Sequence, residues 1–170
     1  MNFLTLDLGT KTGWACGAGE NLFAGTWNLS TAREISEAAK ARLDRRCDPR
    51  INRLFDHVRD IVWRIKPKFI VFEDVQFSTF TCQTQLWSSL RAAVWLANTA
   101  YPMATFECVP VTTLKKFTTG QGSATKETMR RCVETHFRLN STLDFKKLDD
   151  NAIDALALWV WAERNLSRTP

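Results

Sequence analysis

Residues 3–17 constrain the fold more than any other stretch of this chain. They read FLTLDLGTKTGWACG, two apolar runs separated by a polar turn that Gly9 and Gly13 bracket. Two such runs joined by a glycine turn predict a β-hairpin. The first strand carries Asp7, whose burial without a partner would cost several kcal/mol. Asp7 therefore needs a cation, hydrogen bonds or solvent, and capping of the Gly-Thr-Lys-Thr-Gly turn is the structural alternative.

The pattern after this hairpin predicts an α/β chain. Residues 22–29 form a third strand, so an antiparallel meander is expected. Residues 69–72 (FIVF) are typical of a strand buried on both faces, and they are followed by Glu73 and Asp74. Open α/β sheets bind ligands at the carboxyl ends of their strands, which makes these acids candidates for a site. The other predicted elements are helices at 49–65, 86–100, 112–118, 126–137 and 148–163, a strand at 104–111, a loop at 76–81 and a glycine turn at 119–123.

Composition limits what such a chain can be. With 170 residues and no internal repeat, one domain spanning residues 1–170 is expected. The net charge of +5 and the pI of about 9.1 suit a polyanionic partner. Five widely spaced cysteines without a Cys-x-x-Cys pair argue against a disulfide framework or a zinc ribbon. We expect a cytoplasmic protein without membrane contact, because no signal-peptide pattern and no apolar run near the roughly 20 residues of a spanning helix is present.

Acidic side chains open the last predicted helix. Asp149 or Asp150 alone needs no more explanation than helix capping. Asp154 differs because it lies within an apolar helix body, four residues after Asp150, which places both carboxylates on one helical face. Like charges at this spacing repel each other, and a divalent cation would relieve the repulsion.

The acids together predict a metal site. Asp7, Glu73 and the Asp150/Asp154 pair supply only oxygen ligands, without His or Cys, which favours Mg²⁺ or Mn²⁺. Two such ions roughly 4 Å apart can activate a water and stabilise the leaving oxygen of a phosphodiester. In a basic chain, nucleic acid is then the expected substrate.

Four stretches of the sequence resemble a known family. They are LDLGTKTGWA at the start, FED at the end of the central strand, DDNAIDALAL at 149–158, and KKFTTGQGSATK at 115–126. In this order they are similar to the RuvC-type Holliday junction resolvases of the RNase H-like superfamily, particularly the bacteriophage forms. The resemblance covers essentially the whole chain.

The resemblance implies an α/β, RNase H-like fold, a five-stranded mixed sheet flanked by helices. It also implies a homodimer that nicks four-way DNA junctions in pairs, with two Mg²⁺ ions per site and Mn²⁺ as a substitute, leaving 5′-phosphate and 3′-hydroxyl ends. Asp7, Glu73 and Asp154 would hold the metals, with Asp150 as the fourth ligand. The family's bacterial members place the last two acids three residues apart, where this chain has Asn151, so Asp149 and Asn151 are the other candidates for the fourth ligand.

The resemblance also implies residues for binding DNA. Lys115 and Lys126 match the family's two lysines and would contact phosphate, Lys126 also stabilising charge in the transition state. Phe77 and Phe80 follow the Glu73 strand where the family has an aromatic that stacks on junction bases, and a core or lid role is the alternative. The full expected DNA-binding set is Lys115, Lys116, Lys126, Arg130, Phe77 and Phe80.

Other functions share parts of these patterns. A nuclease of the same fold acting on other branched DNA or on RNA would use the same acids, and a non-catalytic junction-binding protein would not need them. The Asp-Leu-Gly-Thr-Lys-Thr-Gly turn also looks like the phosphate-binding hairpin of actin-like kinases. Those proteins need two duplicated domains, which 170 residues cannot hold. His57 and His136 fall within predicted helices, and we assign them packing or surface roles.

Overall fold

Five strands form one mixed sheet. The structure is a computed structural model that describes residues 1–19, 21–40, 48–74, 81–99, 104–138 and 143–167. The strands are β1 (Phe3–Asp7), β2 (Lys11–Ala18), β3 (Asn21–Asn28), β4 (Phe69–Asp74) and β5 (Thr105–Pro110). Their order across the sheet is β3-β2-β1-β4-β5, with β1 to β3 antiparallel and β4 and β5 parallel to β1.

Helices cover both faces of the sheet. They are α1 (Ala32–Lys40), α2 (Pro49–Ile65), α3 (Thr81–Asn98), α4 (Val111–Thr119), α5 (Lys126–Phe137) and α6 (Asp150–Leu166), with a 3₁₀ turn at Phe145–Lys147. Local sequence determines several of the helix ends. The Asp48 carboxylate accepts the Arg50 backbone N–H at the start of α2, and Lys66 ends that helix in the left-handed conformation with φ 49°. At the start of α5, the Thr125 hydroxyl accepts the Thr128 backbone N–H.

Alternation along the strands builds two hydrophobic cores. Successive side chains of a strand point to opposite faces, so Phe3 and Leu4 of β1 enter different cores. The core on the Phe3 side also contains buried side chains of α4, α5 and α6, whereas the core on the Leu4 side contains those of α2 and α3. Residues of β1 and β4 are buried in both cores, which explains why the 69–72 run is apolar throughout.

Helix α6 packs directly on β1 and β2. A Cβ atom at Gly13 would lie 1.9 Å from the Asn151 carbonyl oxygen, so only glycine permits this approach. The buried Thr5 hydroxyl donates to the Ala155 carbonyl oxygen of α6 at 2.7 Å. Further along the helix, Trp159 Nε1 donates to the Gly17 carbonyl oxygen at 3.2 Å. These contacts place the first turns of α6 beside the carboxyl end of β1.

The predicted fold class is confirmed. The hairpin, the three-stranded meander and the helices predicted at 49–65 and 126–137 are all present. Most other boundaries differ from the prediction by one to three residues, and α6 covers Asp150–Leu166 where 148–163 was predicted. β4 ends on Glu73 and Asp74 as predicted, and these two residues pair with Val109 and Pro110 of β5. α3 begins at Thr81 instead of residue 86, because its first turn is polar and exposed and carries no apolar period.

Two elements have no counterpart in the prediction. α1 begins after a capping box in which Thr31 N donates to the Glu34 carboxylate at 2.8 Å and Glu34 N donates to Thr31 Oγ1 at 3.3 Å. The Thr-x-x-Glu pattern was a usable signal for this helix. The 3₁₀ turn at Phe145–Lys147 is too short for periodicity to show. The stretch that contains Phe77 and Phe80 lies outside the described residues. Among the described helices, none has the length and apolar character needed to cross a bilayer.

Gly13→Ala is expected to lower the free energy of unfolding by about 1–3 kcal/mol, because the added methyl group forces α6 away from β2. Urea unfolding followed by circular dichroism measures the change. Gly122→Ala is the matched control, since its Cβ would lie 3.5 Å from the nearest atom, the Thr112 carbonyl oxygen, an ordinary contact. Equal stability of the two variants would show that α6 does not need this close approach.

Candidate active site

Asp7 and Glu73 lie side by side at the carboxyl end of the sheet. β1 and β4 are parallel neighbours, and their register pairs Leu6 with Phe72. The next residues of the two strands are Asp7 and Glu73, so the two carboxylates project from adjacent strands that are about 4.8 Å apart. Because side chains alternate, both lie on the face of the sheet that α6 covers.

Asp154 completes a group of three partly buried carboxylates. It lies one turn into α6, next to Ala155, whose carbonyl oxygen accepts the Thr5 hydroxyl. The charge of Asp154 acts on both Asp7 and Glu73. Strand register thus brings the first two acids together, and the packing of α6 brings the third.

Burial and mutual repulsion raise the pKa of each of these acids. Burial, then the charges of Asp154 and Glu73, raises the pKa of Asp7 to about 7. Burial and the charge of Asp154 raise the pKa of Glu73 to about 7. Burial, with the Asp150 charge contributing, raises the pKa of Asp154 to about 6. The chain therefore holds three carboxylates in a place that lacks sufficient positive charge to keep them all ionised.

Two lysines face this carboxylate group from different helices. Lys115 of α4 acts on Glu73 and Asp154, and Lys126 at the start of α5 acts on Asp7 and Asp154, in each case lowering the carboxyl pKa. Gly120, with φ 81°, ends α4 so that the chain turns between the two lysines. Lys116 lies on the exposed surface of α4. Two of the three predicted DNA-binding lysines, Lys115 and Lys126, therefore lie beside the acids.

Asp150 is paired with Arg130. Arg130 Nη2 donates to Asp150 Oδ1 at 3.1 Å and to the Leu148 carbonyl oxygen at 3.0 Å, and Nη1 donates to Glu134 Oε1 at 3.5 Å. The Asp150 side chain is 50% exposed, yet its charge still acts on Asp154. Arg130, predicted to bind DNA, thus has an intramolecular partner that is itself a predicted metal ligand.

Asp149 caps α6. Its carboxylate accepts the Ala152 backbone N–H at 3.1 Å, the Thr26 hydroxyl, and Asn151 Nδ2 at 3.3 Å. Burial would raise the pKa of Asp149, but these hydrogen bonds outweigh it and hold the pKa below its usual range. Thr26 and Gly13 are the contacts that sequence reasoning missed. A glycine inside a strand was a signal of close approach, whereas nothing local linked Thr26 to Asp149.

The oxygen ligands that these acids offer are of the kind that hard divalent cations prefer. The three acids offer only carboxylate oxygens, and their raised pKa values mark a place where added positive charge would be stabilising. Within the described ranges, no group of three or more His, Cys, Asp or Glu side chains is already arranged as it would be around a metal ion. Asp7, Glu73, Asp154 and Asp150 remain the predicted metal ligands.

Comparison with known proteins identifies the fold. A structure of Thermus thermophilus RuvC matches with a TM-score of 0.65 and 20% identity, over 96% of this chain and 96% of that chain. The chain has the fold of RuvC. Thermus thermophilus RuvC in complex with a Holliday junction substrate matches the fold equally well, with a TM-score of 0.65 and 19% identity, over 93% of this chain and 90% of that chain.

A eukaryotic protein shares the RuvC fold with this chain. The yeast mitochondrial Holliday junction resolvase matches with a TM-score of 0.58 and 12% identity, over 92% of this chain and 75% of that chain. No protein-family model matches the sequence, and neither does any curated protein. The resemblance read from the four sequence stretches is therefore confirmed at the level of the fold, and the bacteriophage type stays a prediction.

The raised pKa values predict a pH-dependent stability. A carboxyl group whose pKa is higher in the folded protein binds more protons there than in the unfolded chain, so stability falls as pH rises from its ordinary value of 3.8 to about 7. Asp7→Asn is expected to increase the free energy of unfolding of the metal-free protein at about pH 8 by on the order of 3 kcal/mol, and to have little effect at about pH 4.

Urea unfolding with a chelator at both pH values tests this. Asp60→Asn, which removes an exposed carboxylate of α2, is the control and is expected to change stability little at either pH. An Asp7→Asn gain of the same size at low and high pH would contradict the assignment, because that gain would not come from ionisation.

Proposed function

We propose that this protein is a metal-dependent endonuclease that resolves four-way DNA junctions by paired nicking. The observation that carries the proposal is the group of three partly buried acids, Asp7, Glu73 and Asp154, beside Lys115 and Lys126. Carboxylates held in this way have no structural benefit, since their burial and repulsion oppose folding. The fold shared with RuvC, for which a complex with a Holliday junction substrate is known, supports the choice of substrate.

The reaction follows from the acids and the lysines. Two Mg²⁺ or Mn²⁺ ions, held by Asp7, Glu73, Asp154 and Asp150, would supply the charge that activates a water and stabilises the leaving oxygen. Lys126 neutralises charge that develops on the scissile phosphate, and Lys115 binds and orients that phosphate. Hydrolysis leaves a 5′-phosphate and a 3′-hydroxyl. Lys116 and Arg130 contact the flanking backbone, and Phe77 and Phe80 stack on bases near the branch point.

Paired nicking requires two active sites at symmetric positions. A homodimer supplies them, because a two-fold axis places identical sites on two strands of a two-fold symmetric junction. The net charge of +5 suits the high phosphate density where four DNA arms meet.

Cleavage of a labelled four-way junction with Mg²⁺ tests the function. Asp7→Asn, Glu73→Gln and Asp154→Asn are each expected to lower the cleavage rate by roughly 100-fold or more, with junction binding retained. Asp60→Asn is the control. Linear duplex and an RNA–DNA hybrid are compared as substrates. Preference for the hybrid would favour an RNA-directed nuclease, binding without cleavage by the wild type would favour a non-catalytic junction-binding protein, and full activity of Asp7→Asn would refute the site.

The fourth ligand is tested by removing charge without removing the helix cap. Asn caps helices about as well as Asp, so Asp149→Asn removes only charge from the cap of α6. Asp150→Asn is expected to raise the Mg²⁺ concentration at half-maximal rate, and Asp149→Asn is expected to leave that concentration unchanged. The reverse result would move the fourth ligand to Asp149. If only Asn151→Ala changes the Mg²⁺ concentration at half-maximal rate, Asn151 is the fourth ligand.

A further inference from the structure

A cleft of about 400 Å³ lies between α4, α5 and α6, away from the carboxylates. Arg131 and His136 of α5 and Arg164 of α6 line it, and Phe117 and Thr118 of α4 form another wall. Arg164 is ten residues beyond Asp154, which corresponds to about 15 Å along the axis of α6. The cleft is therefore separate from the acid group, and the proposed mechanism does not use it.

The side chains of the cleft are those that bind an anion. Arg131 and Arg164 are exposed, and neither has an ion pair among the described residues. The Arg164 guanidinium lies 5.9 Å from the centre of the Phe117 ring, which orients it toward α4. The Thr118 hydroxyl is buried in the wall with no hydrogen-bond partner within the described part of the chain. The two guanidinium groups offer donors suited to phosphate oxygens.

His136 adds a neutral group to the cleft. Its partial burial and the Arg164 charge lower the pKa of His136, and the Glu163 charge only partly opposes this. The proximity of Arg164 to His136 confirms that α5 and α6 present their polar groups to the same space. Glu163 acts on His136 but does not line the cleft, and no carboxylate is among the described residues that line it.

Depressions continue from the cleft in both directions along α5. A depression of about 440 Å³ adjoins it and contains Arg131 and Arg138, and a third of about 360 Å³ contains Arg131 and Arg130. Arg131 lies in all three. Glu134 lies in both of these depressions and is paired with Arg130, and Glu127 lies in the last one. A continuous series of arginine-lined depressions fits an extended polyanion better than a single small anion.

We propose that this cleft binds a backbone phosphate of a DNA arm, several nucleotides from the scissile phosphate, on Arg131 and Arg164. The proposal rests on the proposed function, because it takes the substrate to be DNA. Phosphates along one strand of a duplex follow each other about every 3.4 Å along the axis, so an arm that leaves the acid group along α6 reaches the cleft after about four of them. A phosphate contact in the cleft would hold this duplex arm and so favour DNA substrates whose arms reach the cleft.

The test uses the double variant Arg131→Gln/Arg164→Gln. Arg59→Gln is the matched control, because Arg59 is also an exposed arginine that lies over a ring, 5.4 Å from the centre of Phe55, but on α2 at the other face of the sheet. Junction affinity is measured without Mg²⁺ over a salt series. The double variant is expected to bind about 10-fold more weakly and to lower the slope of log K against log salt by about one, and the control is expected to match the wild type.

Neutral methylphosphonate linkages locate the contact. One linkage at a time is substituted through the first turn of an arm. At one or two positions the substitution is expected to weaken binding by the wild type, and at those positions it is expected to leave binding by the double variant unchanged. An unchanged salt slope and equal effects of every linkage on both proteins would overturn the proposal.

Cys132 reports on the cleft directly. It is a free cysteine that lines the cleft, and its alkylation can be followed by peptide mass spectrometry. Protection by a short duplex in the wild type, lost in the double variant, supports the proposal. Protection by inorganic phosphate alone, without a change in salt slope, would overturn the assignment to DNA.

Absence of junction cleavage with intact, arginine-dependent binding counts against the proposed function and supports the cleft, since binding is measured without metal.

Discussion

The close packing of α6 against β1 and β2 is the contact on which the rest of the structure depends. Gly13 lets the first turn of α6 approach the sheet, and the Thr5 and Trp159 hydrogen bonds hold the helix along its length. The same helix supplies the largest share of one hydrophobic core. Because Asp154 lies one turn into α6, the contact that closes the core also brings the third carboxylate to the other two.

This arrangement opposes stability locally. Three acids share one buried corner of the sheet, and Lys115 and Lys126 only partly offset their repulsion. Arg130 forms an ion pair with Asp150, the first residue of α6. The apolar contacts of both cores offset the free energy that this carboxylate group costs the folded state.

The two faces of the sheet are covered by different helices. α2 and α3 cover one face with apolar contacts and carry none of the acids of the candidate active site. α4, α5 and α6 cover the other face and present lysines at the acid group and arginines along α5 and at the end of α6. A polyanion bound at the acid group would lie across α4, α5 and α6, which present these cations.

The sequence by itself determined the elements and the chemistry. Glycine turns, apolar alternation and helix caps are local, and they predicted the meander, α2, α5 and the acids at the ends of strands. Only the tertiary structure decided which groups meet. Strand register places Asp7 beside Glu73. Packing between elements pairs Asp149 with Thr26 of β3, and Arg130 of α5 with Asp150 of α6. Such pairings depend on how separate elements pack, and no period or spacing within one element encodes them.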